Sequence, residues 1–118
     1  MKRASSNSPG GQLCVDDHRV APVERLVTRR QRGRGLLGRE AMDGAVLLQP
    51  CRSVHTFGMR FAIDVAFCDA DGVVLRIASL RPGRFGPTVW RAKAVLEAQA
   101  GAFVHWGVAA GSRLSLLP

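Results

Sequence analysis

Tyrosine is absent from the chain, and Lys2 and Lys93 are its only lysines. Aromatic residues make up 6% of the sequence, too few to interleave with basic side chains as stacking platforms for nucleic acid require. The formal net charge of +8 therefore comes almost wholly from arginine. A basic surface raises non-specific affinity for nucleic acid, yet without that aromatic stripe nucleic acid is not the expected partner. Three cysteines, Cys14, Cys51 and Cys68, form no close pair. An odd count without Cys-x-x-Cys spacing argues against a disulfide framework and fits free thiols in a reducing compartment. Phosphate-binding glycine loops, Gly-x-Ser-x-Gly elbows and metalloprotease patterns are also missing, so no cofactor and no metal is expected. No apolar run approaches the roughly 20 residues needed to cross a bilayer. Nor does one follow the basic start Met1-Lys2-Arg3, which excludes a secretory signal and makes the cytoplasm the expected compartment.

At 118 residues the chain has room for one domain with a real core. Residues 1–19, basic and then rich in Ser, Gly and Pro, read as a disordered tail, leaving residues 20–118 as a single globular unit. Residues 23–27 read as a first strand. Thr28 and Gln31 then form a capping-box pattern opening a short basic helix over residues 29–37, despite the helix-weakening Gly33 and Gly35. A short apolar run at residues 44–48 suggests a buried strand. Phe61, Ile63, Val65 and Phe67 alternate with Arg60, Ala62, Asp64, Ala66 and Cys68, the period of a strand with one core face. Asp69-Ala70-Asp71-Gly72 carries the Asp-Gly signal of a tight turn, and residues 73–78 return as the partner strand. Residues 81–87 hold two prolines and two glycines and read as an exposed loop. Residues 94–97 suggest another strand, residues 101–106 a short helix closed by Gly107, and residues 113–117 a final strand. The fold class is thus mainly β (α+β), a small compact β-barrel-like domain with two short helices.

The string Pro50-Cys51-Arg52-Ser53-Val54-His55-Thr56-Phe57-Gly58-Met59-Arg60-Phe61, with Ile63-Asp64-Val65 after it, resembles the core motif of domain of unknown function family 192. The Asp71-Gly72 turn, Val95-Leu96-Glu97, Ala100-Gly101, Trp106-Gly107, Gly111 and the upstream Arg34-Gly35-Leu36-Leu37-Gly38-Arg39 are similar too. The resemblance spans roughly residues 20–117 and implies a compact, β-rich prokaryotic barrel without an assigned activity. Two positions depart from the family pattern. Ala62 stands where a proline is usual, and Ser112 stands where an aspartate is.

Arg52, His55, Arg60 and Asp64 are polar residues set among apolar ones, and such groups must find partners or perform a function. Together they are the candidate ligand site, a polar pocket suited to a small anionic ligand or a peptide. In that role Arg52 clamps an anion through its planar fork. The plainer alternative for Asp64 is a bracing role, paired to Arg52 or Arg60 or accepting backbone N–H groups. For Arg52 it is a salt bridge to Asp64 or Glu97. A Cys51, His55 and Cys68 metal site is conceivable, but the spacing is weak. An enzyme, the less favoured reading, would use His55 and Asp64 as acid and base in a hydrolysis or transfer step. A third reading is electrostatic binding to nucleic acid or an acidic protein. Arg29, Arg30 and Trp90 are the candidate partner contacts.

Overall fold

The computed structural model describes residues 10–27 and 40–118. Among these residues nine strands and one helix follow in order: β1 Gly10–Val15, β2 His18–Leu26, β3 Ala45–Leu48, β4 Ser53–His55, β5 Ile63–Cys68, β6 Val74–Leu80, β7 Phe85–Thr88, β8 Ala94–Gln99, α1 Ala102–Trp106 and β9 Leu114–Leu117. Seven strands make one sheet in the order β6-β5-β8-β3-β2-β1-β9, while β4 and β7 form a separate ribbon. Only β2 and β3 pair in parallel; the other ladders are antiparallel.

The sheet curls into a half-barrel whose two edges meet at one end. Val73, just before β6, bridges Arg113, just before β9. The backbone around that bridge is tightly laced, with Val74 N–H donating to Ser112 O and Leu114 N–H to Gly72 O, both at 2.8 Å. The turn feeding it is set by sequence. Asp69 Oδ1 accepts the N–H groups of Asp71 and Val73 at 2.9 and 3.0 Å, and Gly72 takes φ +84°. A Cβ on Gly72 would also lie 2.3 Å from Leu114 O, so glycine is required both for the turn and for the approach of β9.

Alternation along the strands yields two cores, one on each face of the sheet. The inner cluster takes residues from every strand of the barrel, among them Leu13, Val23, Ala45, Ala66, Val74, Leu96 and Leu114, and Phe103 of α1 packs into it. The outer cluster, built on Val46, Leu48, Ile63, Val65, Phe67 and Val95, is covered by Met59, Ala92, Val54 and Val89 from the ribbon and its flanking turns. All six residues of β5 are buried, so the expectation of a single core face there is corrected. The period-two pattern is real, but the ribbon covers the face that sequence alone leaves to solvent.

Two further expectations change. The tail boundary at residue 19 falls inside the sheet, because β1 pairs with both β2 and β9 and buries Leu13, Cys14 and Val15. Gly10, Gly11 and the loop-like Asp16-Asp17 mask this strand in the sequence; both aspartates take positive φ in the β1–β2 turn. Residues 85–88, expected as loop, form β7. A proline is tolerated there because this two-stranded ribbon asks few ladder bonds of it. The helix near residues 101–106 is present as α1, ended by Gly107 at φ 74°. The helix expected over residues 29–37, with Arg29 and Arg30, lies outside the described residues.

Candidate functional site

Asp64 sits on the inner face of β5, across from Ala98 and Ser79 on the neighbouring strands. It is buried, and both carboxylate oxygens are occupied. Ser79 Oγ donates to Oδ1 at 2.7 Å, while the backbone N–H groups of Gly101 and Phe103 donate to Oδ2 at 2.9 and 3.2 Å. Those last two donors belong to the first turn of α1, where N–H groups have no intrahelical partner. Asp64 therefore fastens the helix to the barrel and, through Ser79, to β6. It borders a cleft of about 390 Å³ between β6 and α1, but no carboxylate oxygen is left without a donor.

His55 and Arg52 lie elsewhere. His55 is exposed on β4, its Nδ1 accepts the Phe57 N–H at 3.2 Å, and its ring sits 5.4 Å from that of Phe57. Phe57 in turn meets Phe85 edge to face at 4.7 Å. Arg52 is exposed just before β4, and its carbonyl accepts the Val89 N–H at 2.9 Å. Because the ribbon lies against the outer face, Asp64 and His55 are on opposite sides of the sheet. The four nominated residues do not form one pocket, and His55 and Asp64 are not placed as an acid–base pair. Arg60 pairs with Glu40 on the surface instead of with Asp64. Arg52 reaches neither Asp64 nor Glu97. The Cys51, His55 and Cys68 set is likewise dispersed, since Cys68 faces the barrel interior and Cys51 packs on the outer cluster. Burial, reinforced by the charge of Asp69, pushes the Cys68 thiol up to about 12, so it stays protonated and inert.

What the structure does assemble is an exposed ridge. Phe85 is 81% exposed, Trp90 75% and Phe57 42%, high values for large apolar side chains. Arg52, Arg81, Arg84, Arg91 and Lys93 are exposed on the ribbon and its flanks, where residues 51–62 and 81–93 contain no Asp or Glu. Thr56 anchors the ridge from beneath. It is fully buried; its hydroxyl donates to Arg81 O and accepts the Arg84 N–H at 2.8 Å, and its N–H donates to Arg84 O at 2.8 Å. Trp90 is exposed, whereas Trp106 packs against the inner cluster beside Phe103. Sequence reasoning missed the pairing of Phe57 and Phe85, which stand 28 positions apart, the second in a segment read as loop. It also passed over Glu97 as a site of interest. This residue lies on the outer face between Val46 and Val65, is 4% exposed, and its carboxyl has no hydrogen-bond or ion-pair partner among the described residues. Burial pushes its carboxyl up to about 7. The sequence signal was available, since Glu97 interrupts the apolar run Val95-Leu96-Glu97-Ala98 much as Asp64 interrupts β5.

A cleft of about 720 Å³ runs along β1, β2 and β3 past Gly11, Pro22, Gly44 and Val46, and holds none of the nominated residues. Ser112, at the position of the family's aspartate, is buried. Its hydroxyl accepts the Ala109 N–H at 3.0 Å and donates to Gly107 O, so it holds the turn after α1 without a charge. None of the described helices is long and apolar enough to cross a membrane.

Two solved structures share this fold. A protein of Sinorhizobium meliloti 1021, described as a proposed transcription regulator, matches with a TM-score of 0.78 at 22% identity, over 95% of this chain and 97% of that one. A protein of unknown function from Novosphingobium aromaticivorans DSM 12444 matches with a TM-score of 0.76 at 18% identity, over 92% and 84%. At such identities the likeness establishes the fold alone. No curated protein matches the sequence. A family profile, DUF192, described as an uncharacterized ACR, matches residues 12–116.

Proposed function

The chain belongs to the DUF192 family, which carries no assigned activity, and we propose that it is a small binding module that docks an acidic peptide segment on the β4–β7 ridge. The observation that carries this reading is the cluster of His55, Phe57 and Phe85, exposed on a ribbon flanked by Arg52, Arg84 and Arg91. Exposed contiguous aromatics mark interaction surfaces, and cations around them select a partner of opposite charge. A peptide fits better than stacked bases. The ring of Phe57 is already packed against His55 and Phe85, whereas a ribbon of two strands offers backbone edges for an added strand. The pocket expected around Arg52, His55 and Asp64 is thus narrowed to its exposed members, with Asp64 in a bracing role.

The test uses the full chain and an array of fluorescent acidic, neutral and basic peptides, with single-stranded DNA as the control. Phe85→Ser combined with Arg84→Ser should reduce binding of acidic peptides at least tenfold without lowering the melting temperature. Preference for DNA over every peptide, or binding indifferent to the double substitution, overturns the reading.

A further inference from the structure

A second surface, on the other side of the molecule, has the makings of a small-ligand site. At the end of the half-barrel where β6 and β9 meet lies a cavity of about 230 Å³ that contains none of the ridge residues. Its floor is aliphatic: Leu13, Leu96 and Leu114 are buried members of the inner cluster, and Leu47 packs against them. Its rim is polar and carries charges of both signs.

Arg25 supplies the cation. The register places it on the inner face of β2, since Arg25 stands beside Leu47, Leu47 beside Leu96, and Leu96 beside Ala66. Leu47, Leu96 and Ala66 belong to or pack against the inner cluster, so an arginine in that row is directed over the barrel mouth. Its Nη2 donates to Gln49 Oε1 at 3.2 Å, which orients the guanidinium and leaves its remaining donors unused by the described residues. A planar fork held by one neighbour is suited to a carboxylate.

Asp69 and Asp71 supply the negative charge across the same cavity. Asp69 Oδ1 is committed to the β5–β6 turn, but Oδ2 accepts nothing from the described residues. The Asp71 carboxylate is exposed and also without a donor among them. Neither acid pairs with Arg25, although all three line one cavity. A simple anion would meet the two aspartates, and a simple cation would meet Arg25. A ligand carrying both charges satisfies both sides.

We infer that the barrel mouth binds a free α-amino acid with an aliphatic side chain. The carboxylate lies on Arg25, the ammonium on Asp69 and Asp71, and the side chain on the leucine floor. The cavity is smaller than the roughly 300–1,000 Å³ typical of sites for drug-sized ligands, which limits the occupant to about one residue's bulk. This site is independent of the ridge, and either can fail without the other.

The experiment is calorimetric titration of the full chain with L-leucine, beside three probes that each lack one element. Isocaproate has no ammonium, isoamylamine has no carboxylate, and glycine has no side chain. Saturable binding of L-leucine is expected, with each probe weaker by about tenfold or more. Arg25→Gln and Asp71→Asn, both at exposed positions, should each reduce L-leucine binding about tenfold while melting temperature stays unchanged. Absence of saturable L-leucine binding, equal binding of the truncated probes, or binding unaffected by both substitutions overturns the inference.

Discussion

The two faces of the central sheet each bury one carboxylate, and they treat it in opposite ways. On the inner face, Asp64 is met by a hydroxyl and two backbone N–H groups. On the outer face, Glu97 lies between Val46 and Val65 with no donor among the described residues. Burial pushes the Glu97 carboxyl up to about 7. The difference teaches that burial alone does not define a site. An acid with all its bonds made is a fastener, and an acid without them is kept neutral by its surroundings at the cost of stability once it ionises.

The largest effect should come from breaking the satisfied side of this pair. Asp64→Ala leaves the Gly101 and Phe103 N–H groups and the Ser79 hydroxyl without their acceptor. A loss of about 3–5 kcal/mol is expected in urea unfolding, because orphaned donors to a buried charge cost several kcal/mol together. A loss under about 1 kcal/mol would show that α1 does not depend on Asp64.

The unsatisfied side should respond with the opposite sign. The folded-state pKa of Glu97 lies above its ordinary value of 4.5, so the folded protein holds a proton that the unfolded chain gives up. Stability from the neutral carboxyl is therefore intact below about 4.5 and declines as pH rises from there to about 7, with no further loss from this group above that. Glu97→Gln removes this dependence. It should raise stability at pH 8 by on the order of 3 kcal/mol and leave it nearly unchanged at pH 4, since each pH unit of displacement is worth roughly 1.4 kcal/mol. Parallel stability–pH curves for the two proteins would mean that Glu97 is solvated or paired in solution.

A smaller change should follow from loosening the cover of the outer face. Thr56→Val keeps the volume but strips the buried hydroxyl from Arg81 O and the Arg84 N–H. The expected loss is about 1–3 kcal/mol, with faster amide exchange confined to residues 81–88. Uniform acceleration across β5 and β8 would instead tie the ribbon to the stability of the whole sheet.

The smallest effect on stability belongs to the ridge. Phe85→Ser should change unfolding free energy by less than about 0.5 kcal/mol, as expected for a surface position away from caps and cores. At 81% exposure Phe85 gives up little buried area. A larger loss would make Phe85 a packing residue and weaken the binding reading.

How much was legible depended on the range of the contact. The β5–β6 hairpin was readable because its causes are local, namely alternation along residues 61–67 and the Asp69–Gly72 turn. The strands near residues 44–48, 94–97 and 113–117 were readable from short apolar runs. β1 was not, because Gly10 and Gly11 resemble a linker until β2 pairs with them. β7 was not, because Gly86 and Pro87 are breakers anywhere except on a short ribbon. Of the nominated site residues, Asp64 was legible as a polar residue in an apolar strand. Its three donors come from residues 15 to 39 positions away, which no local pattern reveals. The partnership of Phe57 with Phe85 was hidden for the same reason.

The sequence by itself determined a mainly β chain of the DUF192 family, a basic surface dominated by arginine, and a core strand interrupted by one aspartate. Tertiary structure alone decided that both faces of that strand are covered, that Asp64 is satisfied while Glu97 is not, and that His55 joins an exposed ridge away from Asp64. Periodicity and turn chemistry act within a few residues and survive in any fold. Whether a buried acid finds donors, or two phenylalanines meet, depends on which distant segments the closing barrel brings together.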